Sequence, residues 1–180
     1  MLLDYQGCTQ EYANPYQIKQ AIQRRTLYRI ERGIYATVPH VSELAILQKK
    51  YPKAIITMES AFYYHGLTTD IPELYHLATP AKAARLKDQR IKQWFVPAKL
   101  FPLGQIEMEQ EGTRIRIYDK ERMLIELLRY KSSLPYDYYK EILRHYRRML
   151  ETLDIERIQE YASIFPRSET IWKRLEEEVF

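Results

Sequence analysis

Between Arg24 and Ala36 the chain reads Arg-Arg-Thr-Leu-Tyr-Arg-Ile-Glu-Arg-Gly-Ile-Tyr-Ala, and few conformations suit that order. Two short β-type runs, Leu27 to Ile30 and Ile34 to Ala36, flank a charged turn that ends in glycine. Gly33 can take the positive φ that a tight hairpin demands, so an antiparallel hairpin is expected here. Arg24, Arg25, Arg29 and Arg32 fall within it, and only Glu31 opposes them.

The residues just upstream predict a short helix. Asn14 is a good N-cap and Pro15 suits the first helical turn. Ile18, Ala21 and Ile22 recur at helical spacing, with Gln17, Gln20 and Arg24 on the opposite face and Lys19 and Gln23 near its edges. A small helix followed by an arginine-bearing hairpin is the pattern of the last helix and wing of a winged-helix DNA-binding module. In that reading Tyr16, Gln17, Gln20 and Arg24 reach base edges, where Gln pairs bidentately with adenine and Arg with guanine. Lys19, Arg25, Arg29 and Arg32 then hold phosphates, which position the module without reading sequence. The same residues also fit a solvated polar helix face beside a hairpin that only packs on a core. Met1 to Ala13 has no helical or strand periodicity and reads as a lead-in. It is too short for the two helices that usually precede a recognition helix, so only the last helix and the wing are expected.

The chain has 180 residues, of which 46% are apolar and 13% aromatic, with sixteen tyrosines. That suffices for a core and argues against disorder. No apolar run approaches the ~20 residues a bilayer span requires, and the amino terminus lacks the pattern of a secretory signal. The single cysteine, Cys8, fits a reducing cytoplasm. Net charge is +4, unevenly placed: residues 1–100 carry 14 Lys and Arg against 8 Asp and Glu, residues 101–180 carry 14 against 16. The positive excess belongs to the half that holds the hairpin.

Beyond Pro39, Ser42 caps a second helix that ends before Pro52. Ala54 to Thr57 is a short apolar run, and Met58 to His65 reads as a helix stopped by Gly66. Leu74 to Ala78 and Gln93 to Val96 read as strands, with the basic stretch Ala81 to Lys92 between them a helix or a loop. Gly104 to Glu111 and Thr113 to Tyr118 form a hairpin turning at Glu111-Gly112. From Asp119, which caps its helix, the pattern is helical over 119–130, 136–150, 154–163 and 168–178. The expected class is α+β: a truncated winged-helix-like unit over 1–40, then a domain over 41–180 with a mixed α/β middle and a helical carboxy-terminal region.

Other constellations carry less chemistry. Lys140, Arg144, Arg147 and Arg148 share one face of the helix near 136–150 and form a possible second basic face, opposite Ile142, Leu143, Tyr146, Met149 and Leu150. That stripe fits a phosphate backbone or an acidic partner, or ordinary ion pairs with Glu141 or Glu151. His40, His65, His76 and His145 lack metal-ligand spacing relative to one another or to Cys8. Neither a Gly-rich phosphate loop nor a Gly-x-Ser-x-Gly elbow occurs. Glu107, Glu109 and Glu111 alternate along a strand and read as an exposed edge, and His65 reads as a capping or core residue. Phe62-Tyr63-Tyr64 and Tyr138-Tyr139 are core or protein-contact aromatics. Neither cofactor nor metal is expected.

Three segments, in order, resemble one family. They are Tyr16 to Ala36 (YQIKQAIQRRTLYRIERGIYA), Ser60 to Leu67 (SAFYYHGL) and Asp119 to Arg129 (DKERMLIELLR). They match an arginine-rich wing, an S-A-x-x-x-H-G-L helix end and a D-x-E-R-x-L-x-x-L-L-R helix start of the AbiEi family. Its members are antitoxins of type IV toxin–antitoxin systems that act in abortive infection and phage resistance. The resemblance spans roughly residues 14–130. It implies a cytoplasmic, non-enzymatic antitoxin whose winged helix binds operator DNA of its own operon as a transcriptional regulator. The rest of the chain would counteract a cognate nucleotidyltransferase-like toxin. Gln17, Gln20, Arg24, Arg25, Arg29 and Arg32 are the DNA-contacting residues it implies. The alternatives are a toxin-neutralising interaction protein that does not touch DNA and a nucleic-acid-processing enzyme.

Overall fold

Residues 1–13 are folded, contrary to their reading as a lead-in. In the computed structural model, which describes Met1 to Phe180, Leu2–Asp4 form strand β1 and Tyr5–Tyr12 form helix α1. Asp4 caps that helix, its Oδ1 accepting from the Gly7 N–H at 2.8 Å. The only residue that α1 fully buries is Cys8, so the helix has no apolar stripe to advertise it. Strand β1 owes its place to a partner some thirty residues away, a pairing that local sequence does not encode.

Helix α2 (Pro15–Gln23), β2 (Tyr28–Glu31) and β3 (Ile34–Ala36) follow as expected, with Gly33 at φ 80° in the turn. The three strands form a sheet in the order β1-β3-β2, both pairs antiparallel. Leu2, Leu3 and Asp4 stand opposite Ala36, Tyr35 and Ile34, while Tyr28 and Arg29 stand opposite Ala36 and Tyr35 on the other edge. A bulge between Arg29 and Glu31 leaves Ile30 as the extra residue on β2 before pairing resumes at Glu31 and Ile34. Leu3, Cys8, Ile18, Ala21, Leu27 and Tyr35 make the core beneath, flanked by Tyr12 and Ile22. Helix α3 (Glu43–Lys50), capped by Ser42 through the Ala45 N–H, packs on β1 and β3 and buries Leu44, Ile46 and Leu47.

The chain divides into two compact units. The first is Met1–Ala54 with Glu109–Ile115, and the second is Ile55–Met108 with Arg116–Phe180. The second unit is built on a sheet of β4 (Ile55–Ile56), β5 (Tyr75–Pro80), β6 (Ile91–Val96), β7 (Gln105–Gln110) and β8 (Thr113–Tyr118), in the order β6-β5-β4-β8-β7, except that the Glu109–Ile115 end of β7 and β8 counts with the first unit. β4 runs antiparallel to β5 and parallel to β8, and β5 runs parallel to β6. Glu111 and Gly112, at φ 51° and 72°, make the two-residue turn between β7 and β8. The stretch 81–90 has no helix; Gln93 ties it down by accepting from the Leu86 N–H at 2.8 Å and donating to the Ala84 carbonyl at 3.1 Å.

Helices α4 (Met58–Tyr64), α5 (Lys120–Arg129), α6 (Tyr136–Arg148), α7 (Ile155–Ile164) and α8 (Ser168–Glu178) complete it. The molecule is therefore mixed α and β, with eight helices and two sheets. α5 lies at the centre of the helical layer, packed by α4, α6, α7 and α8. Met123, Leu124, Ile125, Leu127 and Leu128 are wholly buried, and so is Arg122. The Arg122 guanidinium donates to Glu126 Oε1 at 2.9 and 3.1 Å and to the Leu100 and Leu103 carbonyls at 2.7 and 2.9 Å. It also lies over the rings of Tyr118 and Phe165 at 4.3 and 4.4 Å. Gly104, at φ 73°, passes so close that a Cβ there would sit 2.6 Å from Arg122 Cβ. Asp119 caps α5 as expected, accepting from the Arg122 N–H at 2.7 Å and from Tyr161 Oη at 3.0 Å.

Candidate nucleic-acid interface

Helix α2 is presented by its cap and its two buried residues. Asn14 Oδ1 accepts from the Gln17 N–H at 2.9 Å, Pro15 opens the first turn, and Ile18 and Ala21 face the core. That leaves Tyr16, Gln17, Lys19 and Arg24 exposed and Gln20 half-buried. Gln20 Nε2 donates to Tyr16 Oη at 2.8 Å, one helical turn back. The bond restrains two side chains that would otherwise lose rotamer entropy on meeting a ligand.

At the carboxy end of α2 the backbone reverses on Arg25. Its φ is 57°, with its N–H bonded to the Ile22 carbonyl at 3.1 Å and the next N–H, of Thr26, to the Ala21 carbonyl at 3.0 Å. This is the position where glycine usually closes a helix, so the arginine there carries backbone strain on the order of 1 kcal/mol. Arg24 and Arg25 both lie where the helix dipole favours cations. Arg29 is exposed on β2 opposite Tyr35, and Arg32 is exposed on the turn beside Gly33.

Two of the four local acids are engaged elsewhere. Glu31 Oε2 meets Lys50 Nζ at 3.3 Å, and Asp4 Oδ1 meets Lys49 Nζ at 3.7 Å. None of Arg24, Arg25, Arg29 and Arg32 is ion-paired to a carboxylate. Residues 1–54 hold eight Lys and Arg against four Asp and Glu. The exposed, unpaired cations thus lie on the end of α2, its reversal, β2 and the β2–β3 turn. Such a group can do one chemical thing well, which is to meet an anionic surface.

The possible second basic face is less open. Lys140, Arg144, Arg147 and Arg148 are all exposed on α6, over a buried side of Tyr139, Ile142, Leu143 and Tyr146. Lys140 Nζ rests 5.1 Å from the Tyr136 ring centroid, and Arg147 Nε donates to the Glu178 carbonyl at 2.5 Å. Glu178 itself receives Lys131 Nζ at 2.7 Å and Tyr139 Oη at 2.8 Å, so that end of the stripe is of mixed sign. Neither Glu141 nor Glu151 pairs with the stripe; the Glu178 carbonyl engages Arg147 alone.

The motif residues of the second unit are fastenings. Ser60 Oγ accepts from the His76 N–H at 2.8 Å, His65 Nε2 bonds the Tyr118 carbonyl at 2.7 Å, and His145 Nδ1 bonds the Leu67 carbonyl at 2.6 Å. Burial holds His65 below the usual histidine range against that carbonyl bond, and burial with Lys92 pushes His76 down to about 4. Cys8 is fully buried, which raises its thiol, with Asp4 adding to the effect. Glu107 and Glu109 are exposed on β7, and Glu111 lies in the turn. No group of three or more His, Cys, Asp and Glu residues is placed to hold a metal.

One cluster escaped the sequence reading. Arg129, Arg167 and Arg174 line a single cleft in the second unit, although 45 positions separate the outermost two. No periodicity links residues on α5, on α8 and in the bend that precedes α8. Set beside known proteins, the chain matches no family model, and no curated protein matches it in sequence.

Proposed function

We propose that this protein is an antitoxin of the AbiEi type, cytoplasmic and non-catalytic, that represses its own operon by binding operator DNA through its first unit. The observation that carries the reading is the exposed, carboxylate-free group Arg24, Arg25, Arg29 and Arg32 on the end of α2 and the β2–β3 hairpin. The order β1-α1-α2-β2-β3, with β1 completing the hairpin sheet, is what a winged-helix module with one leading helix would have. The folded β1 and α1 remove the reason for treating the hairpin as a fragment, because α2 now rests on a core of its own. Tyr16, Gln17, Gln20 and Arg24 then face base edges, while Lys19, Arg25, Arg29 and Arg32 hold phosphates. The second unit opposes a nucleotidyltransferase-like toxin encoded beside it.

The test is a salt series of binding to the protein's own upstream DNA. Each phosphate contact contributes about −0.9 to the slope of log affinity against log salt, so Arg29→Ala with Arg32→Ala flattens the slope by about 1.8. An unchanged slope and affinity, with toxin neutralisation intact, would leave a toxin-neutralising protein that does not touch DNA.

A further inference from the structure

The cleft lined by Arg129, Arg167 and Arg174 belongs to neither motif fastening nor hairpin, and it has the composition of an anion site. Its volume is about 480 Å³, and Ser132, Ser133 and Thr170 add three hydroxyls to the three guanidinium groups. No carboxylate lines it. Two of the arginines are anchored at one edge of the fork and keep further N–H donors. Arg129 Nη1 donates to Glu126 Oε2 at 2.6 Å, and Arg174 Nη1 donates to the Leu128 carbonyl. Arg167 is exposed, has φ 61°, and precedes the first turn of α8 without a side-chain cap on that helix. Anchored guanidinium forks suit phosphate oxygens, since each offers paired donors in a fixed plane at little further entropy cost.

We propose that this cleft binds the phosphate chain of a small phosphorylated ligand, a nucleoside triphosphate or a free polyphosphate. Three cations match a chain of several charged oxygens better than a single carboxylate. The volume is that of an ordinary small-molecule pocket and exceeds what one inorganic anion fills. Tyr130 supplies one aromatic wall, its ring held edge-on to Trp94 with centroids 5.2 Å apart. The recess favours a small ligand over a nucleic-acid strand, because neighbouring Lys131 is already taken by Glu178 and the adjoining cations Lys140 and Arg147 share their cleft with Glu177 and Glu178. The inference does not rest on the DNA reading of the first unit.

Calorimetric titration of the full chain with each nucleoside triphosphate, and separately with tripolyphosphate, tests it. Saturable binding at one site per chain is expected, with Kd between about 1 μM and 1 mM. Arg167→Gly removes the exposed cation at a φ that glycine accepts, and weakens binding about ten-fold with the fold intact. Arg174→Lys keeps the charge, loses the fork, and weakens binding by a similar factor. Nucleoside triphosphates ten-fold tighter than tripolyphosphate identify a nucleotide; a smaller difference identifies the phosphate chain alone, and both support the site. Absence of saturable binding by any of these probes at about 1 mM overturns it, as does binding that both variants leave unchanged. Binding confined to oligonucleotides also overturns it, in favour of a nucleic-acid backbone. Arg29→Ala with Arg32→Ala leaves this titration unaffected, so failure here and failure of operator binding are separate results.

Discussion

Arginine does opposite work in the two units. In the second, Arg122 is wholly buried, with its donors shared among Glu126 and two carbonyls and its faces covered by two rings. In the first, Arg24, Arg25, Arg29 and Arg32 stand in solvent with no carboxylate partner. A desolvated guanidinium must be satisfied within the protein, because leaving it or its partner unpaired costs several kcal/mol. A solvated one has no such requirement and keeps its donors for an outside ligand. Residue type alone therefore says little about function; saturation separates a structural arginine from an available one.

The sharpest test of that contrast is to remove one arginine from each class. Arg122→Ala leaves Glu126 buried beside Arg129 alone and strips the Leu100 and Leu103 carbonyls of their donor. A loss of about 3–5 kcal/mol in denaturant unfolding is expected. Arg32→Ala should change stability by no more than about 0.5 kcal/mol. Similar losses at both positions would erase the distinction. Gly104→Ala probes the same hub from the opposite side. It combines a positive φ with a 2.6 Å approach to Arg122 Cβ, and a loss of about 2–4 kcal/mol is expected in the same assay.

The next effect is set by pH and belongs to the second unit. His76 is 3% exposed, and its folded value of about 4 lies below the ordinary 6.5. Above pH 6.5 both states are neutral there. Between 6.5 and 4 the unfolded chain takes up a proton that the folded chain refuses. Folding stability then falls as pH falls, by at most about 3 kcal/mol over the window, since Glu59 Oε2, 3.6 Å from His76 Nε2, offers a protonated ring a partner. His65 is lowered too and adds in the same direction. His76→Asn, which keeps an acceptor for Trp94 Nε1, should flatten the dependence; a profile equally steep without His76 would refute the assignment.

The elements that local chemistry could specify were readable: the Asn14 cap, the Gly33 turn, the Glu111-Gly112 turn and the Asp119 cap each depend on residues within three or four positions. Strand β1 was not, because its three residues acquire meaning only by pairing with Ile34 to Ala36. Helix α1 was not, because it buries one cysteine and carries no apolar stripe. The exposed group on α2 and the hairpin lies in one continuous segment, so its charge shows in the sequence. Arg122 lies just as plainly in a helix start, yet its burial comes from Leu100, Leu103, Tyr118 and Phe165, which other parts of the chain deliver. Arg129, Arg167 and Arg174 meet only in three dimensions. What sequence conveyed was charge density along the chain; what it withheld was solvation.

The smallest effects fall on α2 and separate its presentation from its charges. Asn14→Ala removes the cap that orders the first turn and should cost about 1 kcal/mol in thermal or denaturant unfolding. Arg25→Gly works the other way. Glycine relaxes the positive φ at the helix end but loses more entropy on folding, so stability should stay level or rise by up to about 1 kcal/mol. If Arg25 holds a phosphate, the same substitution lowers the salt slope of operator binding by about 0.9. Stability and binding would then move in opposite directions from one substitution, which no loss of folding can imitate. A variant that folds as well or better and binds DNA with an unchanged slope would make Arg25 a helix terminator only, leaving Arg24, Arg29 and Arg32 to carry the contact.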